Sequence, residues 1–358
     1  MSRPFGHQKK GANVRKPDWE KYRYRSMHLT AGEKQLQRVL EQELPGEIID
    51  VHTHCNLADH VQELPPSTAN LPMATFAHYS LPEARRTRNF LWRGRNVRSL
   101  RFANAFKGID HRGANSYLRE NCELFGDEFV AYGLPDDLPY SASLLRTPGC
   151  RALKVYHRYF DPPATSIAEI LPGPLLAAAE EAGIPVILHL PLPPSLSAPE
   201  LTSVIDRYPD LNVVLAHIGT ARSENSADLA SLQSLAIYPR ISLDTALVTD
   251  RFVLAKSISA FGYERVMFGS DEPLSLISAA PYNHRVKGAQ WVSSLDYHWL
   301  DPEDSRDYQK FAAGEMLMHF SQLDALISAI NDLFSGAQRT EVLESIFATN
   351  AKRIFRLA

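Results

Sequence analysis

"IPVILHLPLPPSLSAPELTSVIDRYPDLNVVLAHI", residues 184–218, reads as strand, helix, strand. Its two ends are short, apolar and rich in branched residues. Each runs into a histidine, His189 after "VIL" and His217 after "VVLA". Between them "SAPELTSVIDRYP" has helical spacing, with Ser197 in position to open the helix. A connection of that length joins parallel strands, since antiparallel neighbours need only a tight turn. The unit recurs. Upstream lie "EIIDVH" (47–52), "SLRFANAF" (99–106), "EFVAYGL" (128–134) and "CRALKVY" (150–156). Downstream lie "RISLDTA" (240–246) and "RVMFGSD" (265–271), and helical patterns such as "GPLLAAAEEAG", closed by Gly183, fill the gaps. Eight strand–helix units predict an α/β fold, a closed (β/α)8 TIM barrel. Near-continuous apolar strands suit a sheet covered on both faces.

Three segments are expected along the chain. Residues 1–26 carry eight Lys/Arg against two acids and few aliphatics, which predicts a flexible basic arm. Residues 27–46 hold a leading helix over 30–44, capped by Thr30, with Leu36, Val39, Leu40 and Leu44 on its apolar face. The barrel takes 47–358. Long excursions follow strands one (55–98) and eight (272–306), where they would overlie the mouth. Two helices, about 307–334 and 341–355, finish the chain, with Met316, Met318 and Phe320 packing the first of them.

Without the arm the balance is 30 basic against 39 acidic residues, which argues against a nucleic-acid-binding body. The three cysteines, Cys55, Cys122 and Cys150, have no metal-type spacing and read as reduced thiols. No apolar run approaches the roughly 18 residues of a membrane helix, and the N-terminus has no secretory pattern. The expectation is a cytoplasmic protein that acts on a small molecule, with no nucleic-acid or membrane partner.

Successive side chains on a strand alternate, so His52 and His54 of "IIDVHTHCN" face the same way, about 6.6 Å apart at Cα. Two imidazoles at that spacing can converge on one ion. His189, His217 and Asp271 close strands five, six and eight, and Lys154 sits on strand four. In a barrel all six reach the C-terminal mouth, where such folds build active sites. A lone histidine at a strand end is usually a hydrogen-bonded core residue. Here the same position in separate units carries a potential donor, and that repetition points to a metal site. Lys154 reads equally as a carboxylate anchor, a carbamylated bridging ligand or a structural ion-pair member. Cys55 points away from His54.

The ordered motifs "IIDVHTHCN", "ALKVYHRYFDP", "AGIPVILHLP", "NVVLAHIG", "RVMFGSDEP" and "IFATNAKRIFRL" resemble those of the amidohydrolase superfamily. The closest likeness is to its amidohydrolase-related branch, which includes aminocarboxymuconate semialdehyde decarboxylase and related carboxy-lyases, lactonases and hydratases. The resemblance implies one divalent metal, most often Zn2+ with Mn2+ as the other choice, held by His52, His54, His189 and Asp271. It implies that His217 and Asp271 carry the chemistry. In binuclear members His217 would join a second ion and a carboxylated Lys154 would bridge the pair; the mononuclear form is expected here. The expected reaction is hydrolysis of an amide, ester or lactone of a carboxylated small molecule, with decarboxylation as the alternative on the same parts. A catalytically idle binding barrel is the third reading.

Other features have two readings each. "RRTRNFLWRGRNVRSLR" (85–101) holds seven arginines and is a solvated basic helix or an anion-holding loop. His157, Arg158, Arg222 and His298 are candidate substrate-binding residues, the arginines as carboxylate partners. The aromatic segment 281–305 is a lid or a subunit contact. His111 reads as a loop residue. A homodimer is expected.

Overall fold

The computed structural model describes residues 28–63, 76, 78–221, 226–284, 288–294, 306 and 308–358. The basic arm, Arg222, Tyr297, His298 and Trp299 lie outside them. Eight parallel strands run in sequence order around a barrel: β1 (Glu47–His54), β2 (Asn96–Phe102), β3 (Glu128–Tyr132), β4 (Cys150–Val155), β5 (Val186–Leu188), β6 (Val213–Leu215), β7 (Ile241–Asp244) and β8 (Val266–Met267). Closure between the last strand and the first rests on Val51 N donating to Phe268 O (3.0 Å), Asp271 N to His52 O (2.8 Å) and His54 N to Glu272 O (2.6 Å). The strand eight backbone is thus stitched to the first two histidines.

Two apolar layers hold the barrel. Ile49, Val51, Leu100, Val130, Ala152, Ile187, Val214 and Met267 fill the interior, and Ala351 and Phe355 of the C-terminal helix join the same cluster. A larger cluster lies between strands and helices. Ile49 and Val51 face inward, so strict alternation would send residue 53 inward next. The β1–β2 register shifts between Asp50 and Thr53. That irregularity reverses the parity. His52 and His54 therefore face the mouth, while Cys55 joins the outer layer.

Several boundaries differ from the sequence expectation. The helix after β5 is Pro194–Arg207, so Ser197 is internal and its hydroxyl donates to Leu192 O. Pro at the first helical position, with its fixed φ, starts the helix three residues earlier. The leading helix is Ala31–Glu43 and Thr30 caps it in a box with Glu33. Val39 is exposed, and Gln37 takes the buried place, its amide donating to Leu91 O. The penultimate helix is only Met318–Leu333, since 3-10 turns precede it and Met316 lies on a short strand, β11 (Met316–Leu317). The last helical region begins earlier than expected, as Gly336–Glu344 running through a π turn into Asn350–Phe355. The excursion after strand eight forms β9 (Ser278–His284) and β10 (Gly288–Val292), a hairpin that pairs with β11. His111 opens a helix, His111–Asn121, and is buried. It stacks on Tyr132 and its Nε2 meets Asn104 O at 3.0 Å. No helix among the described residues is long and apolar enough to cross a membrane.

Candidate active site

His52, His54, Lys154, His189, His217 and Asp271 line one cleft of about 40 Å³ at the barrel mouth, walled by Ala105, Tyr156 and Leu274. Four of the six follow from strand alternation. Lys154 continues the inward series from Ala152, His189 from Ile187 and Asp271 from Met267 through Gly269, and His54 follows His52. The fifth, His217, comes directly after the inward-facing Ala216 and should turn away. Its backbone is left-handed (φ 55°), and this swings the ring back into the mouth. Asp271 is left-handed too (φ 60°). Non-glycine residues held there cost of order 1–3 kcal/mol each and concentrate at functional sites.

Each imidazole is fixed through one nitrogen. His52 Nδ1 lies 2.8 Å from Asp244 Oδ2. His54 Nδ1 lies 3.2 Å from Ala103 O, His189 Nδ1 2.9 Å from Leu190 O and His217 Nδ1 2.8 Å from Ala246 O. Carboxylates and carbonyls only accept, so in each ring Nδ1 carries a hydrogen, and Nε2 keeps a lone pair wherever the ring is neutral. Burial, with Lys154 adding to it, pushes His52 well below the ordinary histidine value. Burial and the neighbouring His217 do the same for His189. Both rings are neutral, the state a metal ligand requires.

Asp271 is the opposite case. Burial works to raise its carboxyl, but His52, His54 and His217 together outweigh that and hold it well below the usual carboxylate range. Its Oδ1 is buried without a hydrogen-bond partner, yet it stands 3.1 Å from His54 Nε2 and 3.5 Å from His52 Nε2. With the rings neutral, imidazole lone pairs would face the carboxylate across a short gap. That arrangement is costly alone and favourable around a cation. Donor atoms of His52, His217 and Asp271 lie within 4.8 Å of one another, so this trio could hold a metal ion. His54 borders the same gap, and His189 packs on His217 with ring centroids 5.0 Å apart. The donor set therefore fits a divalent ion.

Lys154 is buried, 3.4 Å from His52 Nε2 and 4.9 Å from the Phe102 ring centroid. Burial pulls its amine down to about 8, against the pull of Asp244 and Asp271. His157 stands behind His189 (4.9 Å between rings), outside the cleft lining. Arg158 is half-buried and also lies outside the lining.

Two residues that sequence reasoning missed matter here. Asp244 ends β7 and holds both His52 Nδ1 and the backbone N of His217 (2.8 Å). Its position at a strand end, like that of the other polar residues, was the available signal. Glu272 follows Asp271 and is buried against Arg101 Nη1 (2.8 Å) and the Tyr79 hydroxyl (2.9 Å).

The amidohydrolase family model matches residues 49–357. No curated protein sequence matches the chain. Among solved structures, an amidohydrolase from Burkholderia multivorans with bound Zn is 18% identical, with 87% of this chain and 99% of that chain covered and a TM-score of 0.56. Amidohydrolase 2 from Bifidobacterium longum subsp. infantis is 15% identical, covering 88% and 100%, at 0.53. 2,6-Dihydroxybenzoate decarboxylase from Rhizobium is 13% identical, covering 87% and 99%, at 0.52. At these identities the likeness is one of fold.

Proposed function

The chain belongs to the amidohydrolase family, and on that premise we propose that it is a metal-dependent hydrolase of an amide, ester or lactone in a small carboxylated molecule. The observation that carries this reading is the Asp271 carboxylate. It is buried, held below its usual range by the imidazoles around it, and stands 3.1 Å from His54 Nε2 and 3.5 Å from His52 Nε2. A carboxylate held below its usual range is ionised in the free enzyme, so its site for a proton is open, while the low value makes it a weak base until the charge around it changes.

His52, His54, His189 and Asp271 would hold the ion, with His217 beside it. The alternative trio of His52, His217 and Asp271 uses the same cleft. Zinc suits an all-imidazole and carboxylate set of this kind, and manganese is the second choice. When bound, such an ion activates water and polarises a carbonyl. Asp271 takes the proton from the attacking water and later gives it to the leaving group. His217 stands 4.0 Å from Asp271 Oδ2 and donates to the carbonyl oxygen as charge develops there. Its ring must then present a proton from Nε2, so it acts in its protonated form. Lys154 anchors a substrate carboxylate, and Tyr156, Leu274 and Ala105 keep bulk water from the cleft.

Decarboxylation is the second reading. It is favoured by the decarboxylases among the structures of the same fold and by the buried Lys154, which suits an acidic substrate. The deciding experiment incubates the metal-loaded chain with a panel of lactones and esters and with a panel of hydroxylated aromatic acids. Hydrolysis appears as acid release, decarboxylation as carbon dioxide. Acid release abolished by Asp271→Asn supports the first reading. Carbon dioxide release abolished by the same change replaces it with the second.

A further inference from the structure

A second cleft, of about 330 Å³, opens at the opposite end of the barrel. It lies where the helix Leu81–Leu91 ends and β2 begins, on the N-terminal side of the strands. Arg85, Arg88 and Arg95 line it with Asn89, Asn96 and Trp92, and no acidic side chain among the described residues does. The three guanidiniums differ. Arg85 is exposed and forms no ion pair among the described residues. Arg88 is buried at 9% exposure, held by Asp127 and donating to Phe125 O (2.7 Å). Arg95 donates to Glu41 O, and its Nε is buried without a hydrogen-bond partner.

Arg88 is balanced by Asp127, since Arg101, which shares that carboxylate at 3.1 Å, also has Glu272, so the unbalanced charge in this concave site is that of Arg85 and Arg95. An oxyanion in the cleft would supply the missing acceptors, with the two asparagine amides as neutral donors beside them. Guanidinium forks match the geometry of phosphoryl and carboxylate groups.

We propose that this cleft binds a small molecule bearing clustered oxyanions, phosphoryl or carboxylate, at a site separate from the metal cleft. Isothermal titration of the metal-loaded full chain with pyrophosphate and with citrate tests it, the two probes separating the phosphoryl from the carboxylate source. The expected result is saturable one-to-one binding of one probe, weakening with added salt. Arg85→Gln should weaken it at least threefold, and Asn89→Asp, which puts an acid into the cleft on an exposed helix position, at least tenfold. Either probe can also ligate an active-site metal. Binding unchanged in both variants, or no binding of either probe, overturns the proposal.

Discussion

At the scale of the residue, the account rests on how protons and lone pairs are assigned. His52 can present Nε2 only because Asp244 holds Nδ1. Changing Asp244 to Asn keeps a hydrogen-bonding group but removes its charge. Metal affinity in a chelator competition should fall roughly 10–100-fold, with the fold intact by circular dichroism. Asp271→Asn removes the proton acceptor and should lower kcat on any accepted substrate by roughly 10²–10⁴. The donors of this site are legible in the sequence because histidine and aspartate are rare at the ends of apolar strands. Asp244 is not legible in the same way. Its role is a contact with a residue 192 positions away, and a single aspartate at a strand end gives no direction for its side chain. Arg158 differs again: it follows strand four in sequence and lies outside the cleft lining.

At the scale of the element, backbone irregularities aim the site. The parity shift in β1 and the left-handed turn at His217 each redirect a side chain that regular alternation would place elsewhere. Gly269 is part of this fitting. A Cβ there would stand 2.8 Å from His52 Cβ and 3.3 Å from Ala246 Cβ. Gly269→Ala should therefore displace His52 without removing any donor. A shift of about 1 Å predicts a roughly 100-fold loss of kcat/KM, and metal content should fall with it. The helix Met318–Leu333 carries a separate prediction. His319 is buried against Trp92 and Phe320, and burial lowers it to about 3. The unfolded chain takes up that proton near pH 6.5 and the folded chain does not. Stability is therefore lost as pH falls from about 6.5 towards 3, by up to roughly 1.4 kcal/mol per pH unit. His111, lowered to about 4 by burial, adds in the same direction. Urea midpoints at pH 7 and 5 should differ less in His319→Phe than in the parent chain. Helix boundaries are the part of these elements least legible from sequence. The proline start at 194 and the turns at 308–314 depend on local backbone geometry that periodicity does not report.

At the scale of the whole molecule, the eightfold rhythm of apolar strands is enough to give the barrel, because each strand must be buried on both faces. The charges threaded through it are harder to see. Arg88, Asp127, Arg101 and Glu272 form a buried ionic chain from the lower cleft to the backbone beside Asp271. Arg101 is fully buried, yet in the sequence it is one arginine among seven in a run that reads as a solvated basic helix or an anion-holding loop. Arg101→Met leaves Glu272 without its cation and Asp127 with Arg88 alone, and should cost about 3–5 kcal/mol in urea unfolding. The central claim, that the mouth of the barrel is built around a divalent ion, is tested most directly by metal analysis. Protein purified without chelators would be measured by inductively coupled plasma mass spectrometry beside a His52→Ala/His54→Ala variant. The account predicts about one zinc or manganese per chain, lost in the variant. A chain that takes up no metal even on reconstitution, or a variant that keeps its full complement, would contradict it.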